Sequence, residues 1–335
     1  MAQQKKVDLN KPLDATEEAK IRRTPLEPAL ATAALTLHGD YYRQVQSKTN
    51  HAIVWHPITQ AYLLVVFVVA TVYVFRDLVD VSDSISEFFS LLKYHKYVLT
   101  KYFPAMIFAA GTVGLVSFTI TDEFRVISDK LASDAYMAQI FRFPLRVYAN
   151  AQPTDANTKF VEAASQSTDL VEYRNSPIAI VTVVPLPDKS TTDTFHAKIT
   201  GLHVRKAYRT AGVEKDLLEF AKEKARVLCN RYVLDNNIHT NNIRIVLAAE
   251  AYSVDKSLTS LYAEEGFSVK RTSTKLDPFA LEATKTFFFV IPAGALLSLF
   301  GITRISYELQ LDNAVDLVTG STAVRKNETS AKRRA

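Results

Sequence analysis

Two uninterrupted apolar runs dominate the pattern of hydrophobic and polar positions along the chain. Pro57 to Phe75 (PITQAYLLVVFVVATVYVF) and Phe103 to Thr121 (FPAMIFAAGTVGLVSFTIT) are each nineteen residues without a charge. At about 1.5 Å per residue, a helix of that length is roughly 28 Å long, close to the hydrocarbon thickness of a bilayer. Both runs are uncharged all round rather than along one face, which argues for membrane spans over core helices. Trp55 and His56 before the first run, and Arg76 and Asp77 after it, suit an interfacial boundary. The first run starts too far into the chain, and lacks the small-residue cleavage pattern, to read as a signal peptide. Gly111 and Gly114 put small residues on adjacent turns of the second run, where a neighbouring helix can approach closely. In the connection, Phe88, Leu91 and Leu92 recur at helical spacing, predicting a helix that lies along the membrane surface.

A third apolar run, Phe287 to Ile302 (FFFVIPAGALLSLFGI), is short for a span and holds Pro292 and Gly294. It reads as a shallow or re-entrant membrane contact, with a buried segment of a soluble domain as the alternative. Two spans return the chain to its starting side, and the Lys- and Arg-rich ends place both termini in the cytosol. Residues 1–30, with alternating charges and three prolines, read as a disordered cytosolic tail. Residues 31–45 are helix-forming and are expected to dock on the first span, giving a membrane region of 31–121. Residues 313–335 read as a basic tail ending Lys332-Arg333-Arg334-Ala335, either a contact for anionic headgroups or a solvated end.

Residues 122–312 alternate between strand and helix patterns. A helix is expected over Phe124–Ile140, strands over Ile178–Pro187 and His196–Val204, and a helix over Glu214–Arg231. For that last helix, Val213, Leu217, Ala221, Ala225 and Leu228 share one face. A strand at Ile243–Ala249, a helix at Asp255–Glu265 closed by Gly266, and strands from Phe267 and over Arg304–Leu311 complete an α+β domain.

Composition narrows the chemistry. A single cysteine, Cys229, excludes an internal disulfide and a cysteine-based zinc site, and His51 and His56 are too isolated to argue for a metal. The net charge of +5 is spread over tails and helix faces, with no basic-aromatic array for nucleic acid. Asn327-Glu328-Thr329 is a glycosylation sequon that a cytosolic tail leaves unmodified. Only nine glycines serve the whole chain, which leaves little material for phosphate-cradling loops.

The passage from Thr200 to Val269 nonetheless resembles the acyl-CoA-binding heart of the GNAT N-acetyltransferase fold. In that fold a strand ends in an Arg/Gln-x-x-Gly-x-Gly/Ala loop whose backbone N–H groups, at a helix N-terminus, hold the CoA pyrophosphate. Arg209, Thr210, Ala211, Gly212 and Val213 fit the loop, and Leu261-Tyr262-Ala263-Glu264-Glu265-Gly266-Phe267 fits the later block. Glu214 stands where the loop calls for its second Gly or Ala, bringing bulk and negative charge to the pyrophosphate position. Asp255 replaces the family's frequent Asn. The resemblance makes Tyr262 the candidate acid for the CoA thiolate, with aromatic packing as the other reading of the same residue. His203 is a candidate base or a structural histidine of the strand.

A closer resemblance lies at the N-terminal side. ATAALTLHGDYYRQ at 31–44, followed by Val54-Trp55-His56-Pro57, is similar to the fungal inorganic phosphate transport proteins of the endoplasmic reticulum (ER). The resemblance implies a membrane protein with a two-helix transmembrane hairpin (spans about 57–75 and 103–121) and a cytosolic α+β GNAT-like domain. It further implies a packaging chaperone for ER exit and plasma-membrane delivery of a phosphate permease. Its expected partners are that polytopic permease, ER lipids and vesicle-coat machinery, without cofactor or nucleic acid. The alternative is a membrane-anchored, acyl-CoA-dependent N-acyltransferase using acetyl-CoA or another acyl-CoA. Glu214 in the loop leans the reading away from an enzyme.

Overall fold

The computed structural model describes residues 20–150, 164, 166–238, 242–279, 285–286 and 291–314. Its centre is a mixed seven-stranded sheet in the order β1-β2-β3-β4-β5-β9-β6. The strands are β1 (Ile21–Pro25), β2 (Thr168–Tyr173), β3 (Ser176–Pro185), β4 (Thr194–Val204), β5 (Asn242–Tyr252), β6 (Ser268–Ser273) and β9 (Arg304–Ala314). Two short strands, β7 (Lys285–Thr286) and β8 (Ile291–Pro292), pair separately. All neighbours in the large sheet are antiparallel except β4 and β5, which run parallel. That parallel pairing covers only Thr194–Lys198 against Arg244–Ala248; beyond it the two strands separate and leave a slot.

The helices among the described residues are α1 (Ala31–Val54), α2 (Pro57–Val81), α3 (Ile85–Tyr94), α4 (Tyr102–Lys130), α5 (Asp134–Phe141), α6 (Leu145–Ala149), α7 (Val213–Asp235), α8 (Lys256–Glu264) and α9 (Ala293–Ser298). α7 is the crossover that parallel strands require, and Val213, Leu217, Ala221, Ala225 and Leu228 form its buried stripe as expected. β3 is buried at every position from Pro177 to Val184, because α7, α1 and α5 cover it.

The sheet begins earlier in the chain than composition indicates. Residues 21–25, expected to be part of a disordered tail, form β1 on the edge of β2. Arg23 supplies the reason: its guanidinium reaches the buried Asp169 carboxylate at 2.6 Å and Glu223 at 2.6 Å, and lies 4.1 Å over the Phe220 ring. These partners are far away in sequence, so local composition does not register them. Residues 1–19 and the tail from 315, with its sequon and basic end, lie outside the described residues.

Among the described residues, α1 to α6 enter the fold between β1 and β2. α1 does not dock along the first apolar run as expected. It crosses the sheet and runs along the C-terminal half of α4, burying Ala33, Ala34, Leu37, Tyr41 and Val45 on one face. Asn50 Oδ1 accepts from Ser117 Oγ at 2.9 Å and Thr121 Oγ1 at 2.8 Å, and Ser128 Oγ donates to the Gly39 carbonyl at 3.1 Å. α2 starts at Pro57, with the His56 ring accepting from the Ile58 N–H at 3.3 Å. The boundary expected at 121/122 also shifts. α4 continues without a break to Lys130, since Thr121-Asp122-Glu123 contains no helix breaker and Ile120, Phe124 and Ile127 keep the buried stripe going.

α2 and α4 are long and apolar enough to cross a membrane. They meet at the end remote from the sheet, where Val74, Leu78 and Val98 are buried and the Tyr102 hydroxyl bonds Thr71 Oγ1 at 2.9 Å. Phe88, Leu91 and Leu92 of α3 close over that cluster, leaving Ile85 and Phe89 exposed.

Residues 287–290 of the third apolar run lie outside the described residues; from Ile291 onward much of the segment packs into the domain, as the alternative reading of a buried segment expects. Ala293, Gly294, Leu297 and Ile302 are buried, and α9 packs on α4. Gly294 permits this: a Cβ there would lie 1.7 Å from the Thr274 carbonyl oxygen.

Candidate functional site

The loop that resembles a pyrophosphate cradle forms a short 3₁₀ turn over Lys206–Ala211, bringing Arg209, Thr210 and Ala211 to the start of α7. Gly212 follows at φ 76°, the left-handed conformation that suits glycine, and Val213 opens the helix. The loop is therefore assembled, but its charge is consumed internally. Glu214 sits in the first turn of α7, where the helix dipole favours an anion. Its carboxylate lies 3.6 Å from Arg209 Nε and accepts from Ser257 Oγ at 2.7 Å. Arg209 also reaches Asp255 Oδ1 at 3.4 Å, and Lys48 of α1 reaches the same oxygen at 2.6 Å. Asp255 is fully buried. Two cations and two carboxylates thus pair their charges with one another where a pyrophosphate would need unpaired positive charge.

The slot between the diverging β4 and β5 is occupied as well. The Tyr41 ring of α1 stacks on His203 at 4.2 Å, with planes 21° apart, and His38 lies edge-on to the same imidazole at 4.8 Å. Gly201 lets α1 come this close, since a Cβ there would lie 1.8 Å from His38 Cε1. Tyr42 and Tyr252 line the other side, and the cavity that remains measures about 30 Å³, room for little more than a water. Tyr41 Oη, His203 Nδ1 and Asp255 Oδ2 are buried there without a hydrogen-bond partner among the described residues.

These surroundings define what the two candidate acid–base residues can do. Burial, with His38 and Arg209 nearby, holds the His203 imidazole neutral and well below its usual pKa, while its backbone hydrogen bond at Leu202 acts in the opposite sense. Burial and then Asp255 push the Tyr262 hydroxyl far above its usual value, and its ring packs on Phe267 at 5.0 Å and Tyr307 at 5.2 Å. Both residues line the slot, but neither has space for a substrate beside it. The residues that close the site, His38, Tyr41, Tyr42 and Lys48, all come from α1. Their only sequence signal is an aromatic pair in an otherwise ordinary helix, and nothing local ties that helix to the slot.

A larger opening lies in the hairpin. Between the far-end contact and the α1–α4 contact, α2 and α4 diverge around a cleft of about 690 Å³. Its lining includes Leu63, Phe67, Ala70, Ala105, Met106, Ala109, Ala110 and Gly114, with no charged side chain.

No curated protein matches the chain. Solved structures that resemble it include the NatC complex bound to Gag peptide and CoA, at 15% identity over 48% of this chain and 82% of that one, TM-score 0.29. Arabidopsis thaliana Naa50 with a bisubstrate analogue resembles it at 12% identity over 54% and 95%, TM-score 0.30. The Escherichia coli ribosomal-protein-S18-alanine N-acetyltransferase does so at 13% identity over 50% and 84%, TM-score 0.29. The family model described as inorganic phosphate transporter chaperone Pho86 matches residues 3–311. With nearly its whole length matched, the chain belongs to the family of inorganic phosphate transporter chaperones.

Proposed function

We propose that this chaperone resides in the endoplasmic reticulum membrane with two spans and cytosolic termini, and that its hairpin shelters a newly made phosphate transporter until the transporter leaves for the plasma membrane. The observation that carries the reading is the apolar cleft between α2 and α4. In lipid, helices associate through close packing rather than through hydrophobic burial, so small residues that let backbones approach are where a partner helix gains most. Ala105, Ala109, Ala110 and Gly114 supply such a face, and a Cβ on Gly114 would meet nothing within 4 Å. The hairpin's own packing therefore does not require that glycine. A transporter helix whose permanent neighbours are not yet in place has the complementary need.

The test is recovery of the transporter with the full-length chaperone in mild detergent. Ala110→Leu with Gly114→Leu fills the cleft and is expected to lower recovery while leaving the chaperone's thermal unfolding unchanged. Undiminished recovery would sink the reading, as would delivery of the transporter to the plasma membrane at normal levels in cells lacking the chaperone.

In this reading the domain takes up no acyl-CoA. The internal pairing of Arg209, Lys48, Glu214 and Asp255, and the aromatic filling of the slot, support that choice over acyl transfer. Calorimetric titration of the full-length protein with acetyl-CoA is expected to show only heat of dilution, and micromolar binding would reverse the choice.

A further inference from the structure

At the junction of hairpin and sheet, two exposed apolar side chains, Trp55 and Leu299, lie outside both the core and the cleft, and Phe300 beside Leu299 is half-buried against the core. α9 ends in a closed turn in which the Ile302 N–H donates to the Leu297 carbonyl at 3.0 Å and the Gly301 N–H to that of Ser298 at 3.0 Å. Gly301 takes φ 70°, and Ser253 Oγ donates to its carbonyl at 2.8 Å, tying the turn to the end of β5. Leu297 and Ile302 are buried on either side, yet Leu299 at the tip is 64% exposed. The next residue, Phe300, lies edge-on to the His56 ring at 5.1 Å, and His56 caps α2 directly after Trp55, which is 66% exposed.

A lone exposed leucine on a protein surface needs no explanation. This one has a defined height. The uncharged stretch Pro57–Phe75 is roughly 28 Å long and fills the hydrocarbon layer, which sets His56 and Trp55 at its edge. The headgroup layer beyond is about 5–7 Å deep on each side. The Phe300 ring, 5.1 Å from that of His56, is no farther from this edge than the layer is deep, and it belongs to the turn that carries Leu299.

From this continuity with α2 we infer that the turn 298–301 is a third membrane contact, with Leu299 at its tip in the headgroup layer on the domain's side of the bilayer and Phe300 holding the turn to His56. The partner is lipid. The inference rests on the two-span reading, and it assigns the domain a fixed orientation on the membrane, held at α4 and at this turn.

The chain's one tryptophan and one cysteine make the test clean. In nanodiscs of phosphatidylcholine brominated on the upper acyl chain, the fluorescence of Trp55 in the full-length protein reports the span boundary. A bimane label at Leu299→Cys, in a Cys229→Ala background, reports the turn against nitroxide-bearing lipid. The control label is Asn236→Cys, which is exposed and precedes β5 at the end opposite Tyr252, roughly 34 Å away along the strand. The 299 label is expected to be quenched severalfold more than the 236 label. Equal quenching at the two positions with Trp55 quenched would overturn the inference and leave the two-span reading standing. An unquenched Trp55 would overturn both.

Discussion

Mild acid is expected to loosen the seat of α1 on the sheet. His38 is 1% exposed, its Nε2 meets the Thr182 hydroxyl at 3.2 Å, and the Phe141 ring lies edge-on at 5.2 Å. Burial alone pushes its pKa down to about 3. In the unfolded chain a histidine takes its proton near pH 6.5. Between those values the unfolded state binds the extra proton and the folded state does not, so stability falls as the pH falls. The loss starts near 6.5 and ends only near 3, where the folded protein also protonates. One such histidine costs about 1.4 kcal/mol per pH unit, or about 2 kcal/mol at pH 5. For a domain of about 150–250 residues that loss lowers Tm by roughly 4–8 °C. His203 acts in the same direction. The assay is thermal unfolding of the full-length protein in mild detergent at pH 7 and pH 5, for wild type and His38→Gln. Glutamine can still bond Thr182 but has no proton to take up, so the variant should lose about 2 kcal/mol less than wild type between the two pH values. Parallel pH profiles for the two proteins would refute the argument that burial keeps His38 neutral.

Gly201→Ala should destabilise by about 3 kcal/mol or more, because its Cβ would lie 1.8 Å from His38 Cε1 and the rings of Phe141 and His203 block retreat. Thermal unfolding checks this against Gly114→Ala, which meets nothing within 4 Å and should be neutral or slightly stabilising. Arg209→Ala strips a cation from two buried carboxylates and should cost about 3 kcal/mol; adding Glu214→Gln should restore part of it in a double-mutant cycle. Tyr41→Ala should cost about 3–5 kcal/mol through the cavity it opens. Acetyl-CoA should leave the Tm of that variant unchanged, since Arg209 and Glu214 still pair; a rise would identify the slot as a plugged CoA site.

The parts of the fold that are legible in sequence are those specified locally. α7 carries its buried stripe at helical spacing, Gly212 and Gly266 mark turns at φ 76° and 83°, and the strands β3 to β5 are apolar runs bounded by polar loops. What escapes is set by distant partners. β1 depends on Asp169, and the burial of the segment around Gly294 depends on one carbonyl of Thr274. The candidate site divides the same way. Glu214 is visible in sequence as an intruder in a phosphate loop, but its pairing with Arg209 and Ser257 is not, nor is the arrival of α1 in the slot.

The insertion of the hairpin between β1 and β2 has a consequence for assembly. Arg23 and Asp169, whose contact zips the edge of the sheet, are 146 residues apart in the chain. At about 5–20 residues per second, a ribosome needs roughly 7–30 s to deliver the second after the first. Both apolar helices emerge during that interval, and the four-strand run of β2 to β5 follows only later. The sheet, and with it the seat for α1, therefore closes only after the hairpin has been synthesised. In the proposed two-span arrangement, membrane insertion precedes domain folding by the order of the chain itself, and an unfolded domain is at first tethered to a hairpin that already presents its cleft.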